Sequence, residues 1–198
     1  MGKKKEIRKN IVLGTVGFIV LVCLLFFLRG NIYQMIVKYE DDGNRKSYDI
    51  KNDALMTVIN QSLPNDETLD LTIDVDQIID ISLGLTSDLL EYVPESKEKE
   101  PQKTFVAGYA DYIGFAAFNA SIADYLLKRF GMNKEWEVKP KKAKLYIFGA
   151  NKTKKAQDGW FKDHDIVVFK NKTTKEEIYV DPSAYKSFGV GKVNKYEK

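Results

Sequence analysis

Apolar positions along the chain fall into three patterns. Residues 11–28 (IVLGTVGFIVLVCLLFFL) are an 18-residue run without a charge. A helix over this run is about 27 Å long at about 1.5 Å per residue, close to the roughly 30 Å hydrocarbon core of a bilayer. From residue 53 to 130 the apolar positions recur at helical spacing. Residues 53–63 place Leu55, Val58, Ile59 and Leu63 on one face, with Pro64-Asn65-Asp66 as the stop. A second helix is expected from Asp74. Asp74 and Gln77 have capping-box spacing, and Ile78, Ile81, Leu85 and Leu89 follow on one face. A third is expected over 107–130. Its stripe of Ile113, Ala116, Ala117, Ala120, Ala123, Leu127 and Phe130 is mostly small, so another element can approach closely, and Gly131 suits its end. The polar, proline-flanked stretch 94–103 (PESKEKEPQK) is expected to be a solvated loop.

Beyond residue 140 the pattern becomes that of strands. Residues 144–148 alternate, 166–169 and 178–180 are β-branched and aromatic, and 170–177 holds the turn between the last two. Helices first and strands second predict an α+β fold, helices followed by an antiparallel sheet, behind one N-terminal transmembrane helix. The division is a basic tail at 1–10, a signal anchor at 11–28, a stalk at 29–52 and one domain at 53–198.

Charge orients the anchor. Lys3, Lys4, Lys5, Arg8 and Lys9 precede the apolar run and Arg29 alone follows closely. The positive-inside rule then predicts a cytoplasmic N-terminus and a periplasmic or extracellular domain. A cleaved signal peptide is the rival reading. The run is longer than the usual 7–15-residue core of such a peptide, and no A-x-A-like site follows it. Cys23 is preceded by Val22 where a lipoprotein signal needs a small residue, and Glu6 occupies the Ser/Thr position of a myristoylation motif.

Net charge is +3, divided as +5 over 1–29, −10 over 31–100 and +8 over 101–198. The lysines of the last part alternate with acids and form no nucleic-acid motif, so mutual attraction of the two halves, or plain solvated faces, is the expectation. A single cysteine and a single histidine exclude an intramolecular disulfide and any Cys- or His-rich metal cluster. No metal or cofactor is expected. The partners expected are the membrane, through 11–28, and a peptide or protein.

The single histidine, His164, carries the candidate chemistry. If the last two strands form a hairpin turning between Lys172 and Thr173, His164 lies opposite Asp181 on the same face. A carboxylate so placed can hold an imidazole in one tautomer, which is the His–Asp half of a catalytic triad. The plainer reading of Asp163-His164-Asp165 is a polar strand end.

Three stretches carry a resemblance: Val106-Ala107-Gly108-Tyr109-Ala110 at the start of the third expected helix, Gly159-Trp160-Phe161-Lys162-Asp163-His164-Asp165 entering a strand, and Tyr179-Val180-Asp181-Pro182-Ser183 leaving the next. Their order and spacing, over about residues 53–185, resemble the transglutaminase-like superfamily, whose papain-like core uses a Cys–His–Asp triad. The resemblance implies that His164 and Asp181 match the family's His and Asp, and that Val106 stands where its cysteine would be. Valine has no nucleophilic atom, so the implied product is a catalytically dead, exported domain that binds a peptide or protein. The alternative is a hydrolase or acyl transferase with another nucleophile, His164 as base and Asp181 as orienter. Thr104, Tyr109 and Ser121 are the hydroxyls considered for it. Trp136, Trp160 and Phe161 are expected to pack the core rather than line a cleft.

Overall fold

The computed structural model describes residues 2–63, 73–155 and 164–197, the backbone alone for 2–13 and 155. Pro64-Asn65-Asp66 and the run from Gly159 to Asp163, with Trp160 and Phe161, lie outside the described residues. The chain is α+β, as its pattern predicts, with six α-helices among the described residues. The first, α1 (Gly2–Ile36), is the apolar helix, and its stretch Gly14–Ile36 is long and apolar enough to cross a membrane. Strand β1 (Val37–Asn44) follows at once. Then come α2 (Asp53–Gln61), α3 (Val75–Leu89), β2 (Glu91–Tyr92), α4 (Pro101–Ala107), β3 (Tyr109–Ala110) and α5 (Tyr112–Arg129). The second half holds β4 (Trp136–Ile147), β5 (Ala150–Asn151), β6 (Asp165–Asn171), β7 (Glu177–Val180), α6 (Pro182–Phe188) and β8 (Lys192–Lys195).

The sheet corrects the expected order of helices followed by an antiparallel sheet. Its strands run β1-β8-β7-β6-β4-β5, and β1 also pairs with β4, so five strands close into a small barrel with β5 attached at one edge. The β1–β8 pairing is parallel and the other barrel pairings are antiparallel. Closure is by short pairings, with β1 and β8 joined only at Lys38 and Tyr39 of β1. Residues 29–52, expected as a stalk, instead supply the end of α1 and the strand β1 that completes the barrel. In β1, Val37 and Tyr39 point inward and are buried, while Lys38 is exposed.

Two cores share β6. Its Ile166 and Val168 meet Tyr39, Ala143, Leu145 and Tyr179 inside the barrel. Its Val167 and Phe169 face outward against α5 and α3, joining Phe115, Phe118, Ile122, Leu126 and Leu83. Both faces of β6 are therefore buried, which is why 166–169 reads as a continuous apolar run rather than alternating. Trp136 is buried against the helical core and also lines a cavity of about 350 Å³, so the expected choice between core and cleft does not hold for it.

The helix expected over 107–130 begins at Tyr112, and Ala107 is instead the last residue of a separate helix, α4. Gly108 takes a left-handed conformation (φ 73°) and ends α4. Asp111 then accepts from the Gly114 amide and starts α5. The loop expected at 94–103 ends early, because Pro101 opens α4. The capping box is present at α3: Asp74 accepts from the Gln77 amide, and the Gln77 side chain accepts from the Asp74 amide.

Several ion pairs join the acidic first half to the basic second: Asp41 with Lys141, Asp49 with Lys128, Asp76 with Lys192, and Glu91 with Lys186. Each such surface pair contributes about 0–1 kcal/mol. They bias the two halves toward each other without holding the fold.

Gly114 gives a test of the packing that positions the amino end of α5. A Cβ there would lie 2.6 Å from the Ala110 Cβ and 3.0 Å from the Glu98 carbonyl oxygen. Helix propensity alone favours alanine by about 1 kcal/mol. Overpacking costs about 1–3 kcal/mol and opposes it. Gly114→Ala is expected to lower the urea unfolding midpoint; a raised midpoint would show that the 93–100 segment gives way freely.

Candidate functional site: a buried His–Asp pair at one end of the barrel

His164 immediately precedes β6, and Asp181 immediately follows β7. In this hairpin Val167 faces Val180 and Val168 faces Tyr179. The turn is therefore centred between Thr173 and Thr174, one position later than the expected centre. The Asn171 side chain accepts from the Thr173 and Thr174 amides, and Lys175 takes a left-handed conformation. His164 is thus diagonal to Asp181 rather than directly opposite. The offset is two residues, and because the side-chain period of a strand is two, both still point to the same face. The His164 Nε2 and Asp181 Oδ2 atoms are 2.7 Å apart, and both side chains are fully buried.

Asp181 is held by three further residues. Tyr39 of β1 donates its hydroxyl to Oδ2 at 2.6 Å. On Oδ1, Ser183 donates both its amide (3.0 Å) and its hydroxyl (2.7 Å), and Ala184 its amide (2.9 Å). The amide bonds make Asp181 the N-cap of α6. The Tyr33 hydroxyl of α1 bonds to the Tyr39 hydroxyl. Tyr39 already gives its one proton to Asp181, so Tyr33 is the donor in that bond. A chain of donation runs from α1, through β1, to the carboxylate.

The imidazole lies between two tyrosines. Its centroid is 5.7 Å from the Tyr39 ring and 5.8 Å from the Tyr112 ring, the latter stacked at 29°. Tyr112 is the first residue of α5, and Tyr92 of β2 stacks on it at 6.4 Å. The pair is thus walled by α5, β1 and α6.

Burial by itself would raise the Asp181 pKa. The attraction and hydrogen bond of His164, with the Tyr39 and Ala184 donors, outweigh it and hold the carboxyl below the ordinary range. Tyr39 is pushed well above its ordinary value by burial first and by the Asp181 charge second. Next to the pair, Asp165 behaves in the opposite sense. Its burial raises it, although Arg45 grips it with bonds of 2.8, 3.0 and 3.1 Å.

The other sequence candidates lie elsewhere. Val106, assigned to the amino end of the central helix, sits in the last turn of α4 and is 78% exposed. The residue at that amino end, against His164, is Tyr112. Thr104 is buried in α4, Tyr109 is exposed in β3, and the Ser121 hydroxyl donates to the Ala117 carbonyl well inside α5. Tyr39, Tyr33 and Tyr112 were not singled out by sequence. Tyr112 had a local signal in Gly108 and Asp111, a helix stop followed by a cap; Tyr39 and Tyr33 had none, because their region lacked visible strand partners.

Among the described residues, one cavity adjoins the site and another lies away from it, towards the carboxyl end of α5. One of about 250 Å³ is lined by Tyr92, Ser183, Ser187 and Phe188, sharing Ser183 with the Asp181 cap. A more polar one of about 350 Å³ lies beyond α5, between Tyr48, Asp124, Lys128 and Lys172. The described residues contain no cluster of three or more metal-ligating side chains. No family model, curated protein or solved structure matches the chain.

The two roles of Asp181 can be separated by substitution. Asparagine caps a helix about as well as aspartate, so Asp181→Asn removes the charge and keeps the cap. Removing one member of a buried pair costs about 3–5 kcal/mol. Because the folded pKa is lowered, the charge stabilises above the ordinary aspartate value of about 3.9 and is lost as pH falls through the folded pKa. Wild type is expected to exceed Asp181→Asn by several kcal/mol in urea unfolding at pH 7, and the gap is expected to narrow steadily below about pH 4. A gap independent of pH would mean that the charge contributes nothing.

Proposed function

We propose that this chain is a membrane-anchored, exported domain with a transglutaminase-like core that has lost catalysis and binds a peptide or protein partner. The observation that carries the non-catalytic reading is the enclosure of the pair. His164 and Asp181 are both 0% exposed, and Asp181 is occupied by a helix cap and a tyrosine clasp. A general base must come within hydrogen-bond reach of the proton it takes, directly or through one water. Here a stacked phenol, Tyr112, covers the imidazole at the helix end where the resemblance places a cysteine. The pair then serves as a structural clasp.

The anchored, exported reading is supported by the apolar helix and by the basic residues that precede it. The binding reading is supported by Val106 and Tyr109, large apolar side chains 78% and 45% exposed, three residues apart across the α4–β3 turn. Isolated exposed apolar residues are ordinary. These two flank the short parallel β2–β3 ribbon, where an extended peptide can add as a strand.

Two measurements on the full chain in nanodiscs test this. Across a panel of peptide amides and esters, turnover is expected to equal background in wild type and in His164→Ala alike. Peptides selected by display on the wild type are expected to lose at least tenfold in affinity, about 1.4 kcal/mol, on Val106→Asp and Tyr109→Ser. Turnover that depends on His164 would overturn the non-catalytic reading. Unchanged affinity in both surface variants would overturn the assigned binding face.

A further inference from the structure

The last turns of α1 do not hang free of the domain. A Cβ on Gly30 would lie 3.1 Å from the Val190 Cγ2 and 3.9 Å from the Phe188 carbonyl oxygen. Tyr33 is buried and its ring stacks on Phe188 at 5.1 Å. The Gln34 side chain donates to the Lys192 carbonyl at 2.8 Å, and Asn194 donates to the Gln34 carbonyl at 2.7 Å. The α6–β8 turn is therefore fixed beside the membrane helix.

These contacts set a height above the bilayer. Leu28 ends the uncharged apolar run. Gly30 and Tyr33 lie about 3 Å and 7.5 Å further along the axis, at about 1.5 Å per residue. The headgroup layer adds roughly 5–7 Å on each side of the hydrocarbon core. Phe188, held against both residues, falls within that layer, where aromatic side chains are favoured. It also forms one wall of the roughly 250 Å³ cavity that reaches Tyr92 and the two serines. Leu25, Phe26 and Phe27 are exposed on α1 one to two turns before Tyr33, whose ring stacks on Phe188 at the cavity wall. Arg29, exposed at the same exit, is placed for a lipid phosphate.

We propose that the cavity between Tyr92 and Phe188 is a lipid site, filled by an acyl chain of a phospholipid from the leaflet in which α1 emerges. The proposal rests on the anchored reading; the cavity shares Tyr92 of β2 with the ribbon proposed for the peptide, and labelling at 183–190 separates the two occupants. Bilayer lipid is the occupant that the cavity's position supplies. An acyl chain is apolar, it lies directly below that height in the leaflet through which α1 passes, and Phe188, which forms one wall of the cavity, is stacked on Tyr33 of that helix.

The test uses the full chain in nanodiscs of phosphatidylcholine and phosphatidylglycerol doped with a phospholipid carrying a diazirine in its acyl chain. After illumination, crosslinks are mapped by mass spectrometry. Labelling is expected at Tyr92 and at 183–190 as well as along 14–28. Ser187 is exposed, so Ser187→Trp, or the smaller Ser187→Leu, fills the cavity from its rim. In both variants labelling at 183–190 is expected to fall at least tenfold while labelling of 14–28 is unchanged. Labelling confined to 14–28, or unaltered by both variants, would overturn the lipid site. So would protection of 183–190 by a display-selected peptide, which would assign the cavity to polypeptide. A chain that fails to float with liposomes would overturn the anchored reading together with this site; flotation without labelling at 183–190 removes the site alone.

Discussion

A carboxylate placed where no water reaches must have every lone pair answered by a donor. Asp181 is such a group, and its donors come from separate parts of the chain: His164 at the start of β6, Tyr39 in β1, and Ser183 and Ala184 in α6. Tyr33 extends the set to the end of α1. These donors converge only when β1 has paired with β4 and β8. Closing the barrel and forming the site are therefore one event, and an open barrel would leave a buried charge short of partners. That coupling disfavours partly assembled forms more sharply than apolar packing, which degrades gradually as side chains are displaced.

The fold was legible where its determinants are local. The capping box of Asp74 and Gln77 lies within one turn, and the boundary it predicts is the boundary found. The stop at Gly108 and the cap at Asp111 were equally local, but the helical stripe begins only at Ile113 and does not by itself mark where its helix starts. β1 could not be read this way. Its partner β4 lies about a hundred residues downstream; the alternation of 144–147 shows the end of that strand, but Pro140 and a row of lysines hide its first part, and β1 has no such signal. A strand whose stability comes entirely from distant pairing leaves only a weak trace in its own segment.

The site was half legible for a related reason. The contact between His164 and Asp181 follows from strand parity, which survives a two-residue error in register but would not survive an error of one. The loop added its length evenly, moving the turn centre one position and the register sum by two. Tyr39 depended on the unread strand, and Tyr112 on the unread helix boundary. Both enclose the imidazole, so what sequence missed is the element that decides whether the pair is open to a substrate.

A His–Asp pair is weak evidence for turnover once it is buried this way. Removing either member alone strands its partner away from water at a cost of about 3–5 kcal/mol, a large share of the 5–15 kcal/mol that a domain has. Replacing both with well-packed apolar residues is often neutral, but it requires concerted change at two positions, with Tyr39 and the α6 cap adapting as well. Folding alone is therefore enough to hold a buried His–Asp pair in place, whatever chemistry it serves. The geometry that would distinguish the two cases is access to the imidazole, and here Tyr112 and Tyr39 occupy it.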